Sequence, residues 1–264
     1  MTSTASAERL APPLGQATFW AASALLFLGS GAATVAWCMG MSPAGGMPMP
    51  GGWTMSMAWM RMPGQSWPDA TATFLGMWTV MMVAMMLPSF VPMLTRYRRT
   101  LGAVSEPRLG RLTALAGAGY FLVWAAFGAV VYPLGVTLAA LEMRFEGLSR
   151  AAPIAAGVVV VAAGLLQLTA WKARHLHCCR SSAPLVGVAR AWRHGVRLGL
   201  HCSACCAGFV AILLVAGVMD LAAMAIVTAA ITVERVAPSG ERIARATGIA
   251  AVAAGALLLA RALG

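Results

Sequence analysis

The chain has 264 residues, of which 60% are hydrophobic and only 10% are charged, whereas an ordinary soluble domain has about 25% charged residues. This composition and a mean hydropathy of +0.78 exclude a sizeable soluble domain. They predict an all-α membrane protein that is in contact with membrane lipid. The formal net charge of +11 is not arranged as a basic stripe with interleaved aromatic residues, so we expect no nucleic-acid partner.

Long uncharged runs predict a polytopic bundle of six transmembrane helices, because about 20 apolar residues are needed to cross the hydrocarbon. The run 198–233 is either one long tilted helix or a hairpin of two short ones, which would make seven helices. We expect a single membrane domain over 14–264 after a polar tail at 1–13. The six runs lie at 14–39, 70–95, 112–141, 151–171, 198–233 and 246–260.

The basic residues predict the orientation of the helices. The segment 96–111 holds five Lys and Arg residues and 172–197 holds six, but 40–69 and 142–150 together hold only three. Since short cytoplasmic loops are enriched in Lys and Arg, the N-terminal tail should be cytoplasmic. High usage of Ala, Gly and Arg favours a bacterial source, and hence the bacterial inner membrane.

The first exoplasmic loop, 40–69, is rich in Gly and Pro and should be irregular. It contains most of the eight methionines between Met39 and Met62, which in an exposed loop have no core to fill. Thioether sulfur is a soft, neutral ligand that suits Cu(I). The loop is therefore a candidate for outer metal capture, with Met47, Met49, Met55 and Met57 as its ligands.

The second predicted helix should be bent or broken at Pro88 and Pro92, because proline removes a helical hydrogen bond. Its residues Met77, Met81 and Met85 share one face. They are candidates for a metal path, and the alternative is that they only fill gaps in the packing.

Asp220 is the single acidic residue inside an apolar run. Charged residues in membrane segments usually face the bundle interior or a watery cavity, so Asp220, with its neighbour Met219, is a candidate for the same path. The alternative is an exposed aspartate at the turn of a hairpin. For Glu234 and Arg235, which end the run, a surface ion pair is the simplest expectation.

The clearest chemical signal is the segment 175–206, which holds all four histidines and five of the six cysteines. Helical spacing places Cys202 beside Cys205 and Cys206. An upstream half-site, "HLHCCR", would meet them across an antiparallel helix pair. Thiolates and imidazoles bind soft and borderline metals, so we predict a soft transition metal, with copper favoured and zinc an alternative. The predicted function is to take part in the transport or delivery of this metal at the membrane. The candidate ligands are His175, Cys178, Cys179, His201, Cys202, Cys205 and Cys206.

Other interpretations of the cysteines remain open. They could only pack, or they could form a reversible disulfide, which would make the chain a membrane thiol redox protein using Cys178 or Cys179. A third alternative is an assembly factor that hands metal to a membrane enzyme. No GxxxxGK[ST] motif is present and no nucleophile, base and orienting group stand out. We therefore expect no enzyme activity unless the redox alternative holds.

Several of these segments resemble the bacterial predicted metal-binding integral membrane proteins, whose members largely carry a domain of unknown function. They are "WTVMMVAMMLPSFVPM", "GYFLVWAAFG", "KARHLHCCR", "HCSACCAGFV" and "GVMDLAAMAIVTAAITVERVAPSG". The resemblance covers about 70–240. It implies a multipass inner-membrane protein, permease-like and working with a small partner subunit, with Cys179, Cys202, Cys205 and Cys206 as candidate ligands. Two departures are His175, where relatives are expected to have cysteine, and Asp220, where asparagine is usual.

Overall fold

The computed structural model describes residues 14–41, 46–101, 104–180 and 187–264, without the side chains of Leu14, Met41, Cys179 and Arg180. The N-terminal tail expected at 1–13 lies outside these residues. The described part of the chain contains eight α-helices and one small sheet. The helices are α1 (Leu14–Met41), α2 (Trp67–Thr100), α3 (Glu106–Arg144), α4 (Glu146–Gln167), α5 (Ala170–Arg180), α6 (Val188–Ala216), α7 (Leu221–Val236) and α8 (Gly240–Leu263).

The prediction of an all-α helical bundle is confirmed. Six helices, α1, α2, α3, α4, α6 and α8, are long and apolar enough to cross a membrane. The run 198–233 is the predicted hairpin alternative, because α6 ends at Ala216 and α7 begins at Leu221. The expected fourth helix instead stops at Gln167, and the separate helix α5 was not predicted.

The Met-rich loop, which was expected to be irregular, is regular in part, whereas its residues 60–66 contain no helix or strand. Strands β1 (Met47–Met49) and β2 (Trp53–Met55) form an antiparallel hairpin. Its turn needs glycine, because Gly51 and Gly52 have φ angles of 103° and 75°. Met49 and Met55 project to the same side and are buried with Ala139. These two thioethers therefore have a core to fill, contrary to expectation.

Helix α2 is continuous through Pro88 and Pro92 and ends at Thr100, so the predicted break does not occur. The helix lies at the centre of the bundle, and neighbouring helices compensate for internal prolines in such packing. Met77, Met81 and Met85 are all buried in the main core.

Small residues bring the helix backbones into contact and thereby set the geometry of the interior. A Cβ atom at Gly164 of α4 would lie 2.7 Å from the backbone nitrogen of Val252 in α8. On α6, a Cβ atom at Gly199 would lie 2.9 Å from the carbonyl oxygen of Tyr120 in α3. This close approach of α3 and α6 holds Tyr120 beside the cysteines that follow Gly199.

Candidate metal site

Cys202 lies at the meeting point of four helices and is completely buried. Its Sγ atom is 2.8 Å from the Tyr120 hydroxyl oxygen of α3 and 4.0 Å from the Met86 sulfur of α2. The Arg235 guanidinium, from the last turn of α7, donates to the same sulfur over 3.0 Å. The thiol is thus surrounded by one further soft ligand and two hydrogen-bonding groups.

Cys206 completes a pair of thiols, because it lies one helical turn after Cys202. Arg235 Nη2 also donates to Cys206 Sγ over 3.1 Å, and Arg235 Nη1 contacts the Ser89 hydroxyl at 3.4 Å. Cys205 is buried next to the pair and within hydrogen-bonding reach of Cys206. A single guanidinium group therefore contacts two buried sulfurs.

A buried ion pair adjoins the thiols. Lys172 Nζ of α5 lies 2.8 Å from Glu234 Oε2 of α7, and it also donates to the Cys205 carbonyl oxygen over 2.9 Å. The other oxygen of Glu234 accepts from Gln167 at 3.3 Å and from Thr247 at 2.7 Å. Five helices, α4 to α8, are connected through this network.

Glu234 and Arg235 are not the surface ion pair that the sequence suggested. Their exposed fractions are 1% and 3%, because the last turn of α7 is enclosed by α2, α6 and α8. Glu234 is directed to Lys172, and Arg235 is directed to the thiols.

The surroundings of Lys172 favour the charged form of its amine in spite of its burial. Desolvation lowers the pKa of this amine, but Cys205, Cys206 and Glu234 raise it, and the net result is a pKa above the ordinary lysine value. The pair formed by Lys172 and Glu234 is therefore neutral overall. A cavity of about 320 Å³, lined by Gln167, Lys172 and the exposed Arg245, adjoins it.

The two predicted half-sites meet through their histidines. Helices α5 and α6 pack together, and the Nδ1 atoms of His175 and His201 are 3.3 Å apart. Two nitrogens bonded to one tetrahedral metal ion at 2.0–2.1 Å lie about 3.3–3.4 Å apart, so this separation suits a shared metal. Cys178 is half-buried on α5, and the side chain of Cys179 lies outside the described part.

The predicted ligands whose side chains the structure describes do not gather at one point. Within these residues, no three or more His, Cys, Asp or Glu side chains form a group able to hold a metal ion. Four of the predicted ligands instead form two pairs, the buried Cys202 and Cys206, which lie with the thioether of Met86, and the half-buried His175 and His201. Two thiols and a thioether form the softer donor set and suit Cu(I).

The other predicted path residues lie beyond the far end of α6. Asp220 is exposed and caps α7, accepting from the Ala223 backbone nitrogen at 2.9 Å. Its neighbour Met219 contacts Cys38 of α1, with 3.8 Å between the two sulfurs. The end of α6 is about 21 Å along the helix from Cys202, at 1.5 Å per residue.

Sequence reasoning missed the residues that surround the thiols. They carried partial signals, because Met86 lies in the AMMLPS motif and Tyr120 in "GYFLVW". An arginine that lies within the membrane is by default a candidate for a functional residue, and Arg235 stands at the end of an apolar run. The missed residues are Met86, Tyr120, Gln167, Lys172 and Arg235.

Fold and site together define a helical bundle with six potential membrane spans and a buried, sulfur-rich interior. The chain belongs to the PpoB2 copper chaperone family, whose model matches residues 75–258. The match includes the thiol pair, Met86 and Arg235, and it supports a copper-related role. No curated protein and no solved structure matches the chain.

Proposed function

We propose that the protein is a membrane-embedded copper chaperone, which binds one Cu(I) ion between Cys202, Cys206 and Met86 and delivers it to a copper-accepting protein of the bacterial inner membrane. The observation that carries this proposal is the buried pair of thiols with a thioether 4.0 Å from Cys202. Membership of a copper chaperone family supports the choice of metal.

The chemistry of the donors favours copper over zinc and over disulfide exchange. Structural zinc sites are nearly always four-coordinate with Cys, His or carboxylate ligands, whereas thioether is a ligand for Cu(I). A thiol redox pair would make no use of Met86, but a copper site would. Thioether also binds without losing a proton, so any protons released when the ion binds come from the two thiols alone.

The surroundings of the site suggest how copper enters and leaves it. His175 and His201 form a half-buried docking position on the side that the positive-inside rule makes cytoplasmic. On α2, buried methionines continue from Met86 through Met81 to Met77, over about 14 Å of helix. Copper would thus move from imidazole to thiolate and then to the thioethers of α2, from which the membrane acceptor would take it before it crosses the membrane.

The direct test is Cu(I) titration of the reduced protein in detergent, followed by X-ray absorption of the bound copper. We expect one tightly bound ion whose first coordination shell contains only sulfur atoms. A copper ion bonded mainly to nitrogen or oxygen would contradict the thiol site. No bound copper, together with thiols that cycle through a disulfide, would favour the redox alternative.

Delivery and transport are separated in vesicles. For a chaperone, we expect vesicles that contain the protein and enclose a copper probe to take up no more copper than empty vesicles. Copper should nevertheless pass from the protein to an added membrane acceptor faster than it passes from a chelator to the same acceptor. Uptake that depends on Met77 or Met81 would instead make the chain a transporter.

A further inference from the structure

We infer that Arg235 makes the thiol site selective for monovalent soft cations over divalent ones, an inference that rests on the proposed copper site. The guanidinium lies 3.0 Å from Cys202 Sγ and 3.1 Å from Cys206 Sγ, and its residue is 3% exposed. No other role proposed above requires a permanent positive charge against both sulfur ligands.

The selectivity follows from the charge that each bound state carries. When a metal ion binds, each of the two sulfurs forms a metal–sulfur bond as a thiolate, any proton that it carried leaves to the solvent, and no electron is transferred. Two thiolates with one monovalent ion carry a net charge of −1, which the guanidinium charge of Arg235 cancels. With a divalent ion the thiolates are already neutralised, so the complex gains no attraction to the charge of Arg235.

The remaining charged groups at the site do not alter this balance. Lys172 and Glu234 form their own neutral pair, and the Tyr120 hydroxyl group is uncharged. The attraction between unlike charges is strong in a medium of low polarity, and the arginine keeps its proton and therefore its charge. Arg235 therefore favours the monovalent complex by the attraction between one pair of unit charges.

The test compares equilibrium affinities for Ag(I), a redox-inert monovalent probe, and for Zn(II) in the reduced full-length protein. We expect Arg235→Gln to lower the Ag(I) affinity by at least about tenfold and to change the Zn(II) affinity by less than about threefold. Arg235→Lys should keep the wild-type ratio of the two affinities. The exposed Arg242→Gln is the matched control and should change neither.

A purely structural role for Arg235 predicts a different pattern. Equal losses of Ag(I) and Zn(II) affinity in Arg235→Gln, or no change in their ratio, would overturn the inference. If this variant does not fold, Arg235→Lys decides the question, since a loss of preference with the charge retained would also overturn it. In wild-type protein, tighter binding of Zn(II) than of Ag(I) would do the same.

A further variant separates this inference from the proposed site. If Cys202→Ser removes Ag(I) binding but Arg235→Gln keeps the wild-type ratio, only the selectivity inference fails. If Cys202→Ser leaves Ag(I) binding unchanged, the proposed copper site fails, and the selectivity inference fails with it.

Discussion

Replacing Cys202 and Cys206 together by serine is expected to abolish tight Cu(I) binding, with a fall in affinity of at least about a thousandfold. The two thiolates supply the negative charge and the strongest soft ligands of the proposed site, and a serine hydroxyl neither ionises at neutral pH nor suits a soft ion. Met86 alone would leave a single neutral donor. The measurement is competition for Cu(I) with a chromogenic chelator under reducing conditions.

Two single variants provide matched controls for this experiment. Cys38→Ser also removes a buried thiol, but one that contacts Met219 beyond the far end of α6. Cys178→Ser removes a half-buried thiol from the other half-site. Both are expected to retain copper binding within about threefold of wild type. Loss of copper in either control, or retention in the double variant, would contradict the assignment of the ligands.

Met86 should contribute less to the Cu(I) affinity than either thiol does. A neutral thioether adds no charge to the complex, so we expect Met86→Leu, which keeps the volume, to lower the affinity by about tenfold. A loss of affinity that is large without the thiols and smaller without the thioether would indicate coordination by all three sulfurs. It would exclude a linear complex with the two cysteines alone. In a linear complex, Met86→Leu would have no effect.

The six long apolar helices could be predicted because length and hydropathy determine where a chain crosses the hydrocarbon. The spacing of Cys202 and Cys206 was also readable, since residues four apart share a helix face. The hairpin within 198–233 remained an alternative because its turn carries only one charge, Asp220. That residue stabilises the turn as the N-cap of α7.

The partners of the thiols could not be predicted, because they come from helices distant in sequence. A hydropathy pattern reports that Arg235 ends an apolar run, but only the packing of α2, α6 and α8 around α7 shows that it is buried. Met49 and Met55 were misjudged for a similar reason. Their loop is polar and rich in glycine, yet the hairpin directs both side chains onto Ala139.

Removing one partner of the buried ion pair is expected to destabilise the protein strongly. Lys172→Met leaves the Glu234 carboxylate buried without its counter-charge, and breaking such pairs costs about 3–5 kcal/mol. The measurement is the free energy of unfolding in detergent micelles. The exposed pair of Arg150 and Glu146 is the control, since Arg150→Gln should cost at most about 0.5 kcal/mol.

The double variant Lys172→Met with Glu234→Gln decides what the pair does. The glutamine amide oxygen can still accept from Gln167 and Thr247, and no buried charge is left uncompensated, so most of the lost stability should return. Because the pair is neutral in wild type and absent in the double variant, the charge balance at Cys202 and Arg235 is the same in both. Copper affinity should therefore recover together with stability. Recovery of stability with copper binding still lost would instead show that Lys172 or Glu234 takes part in holding the metal.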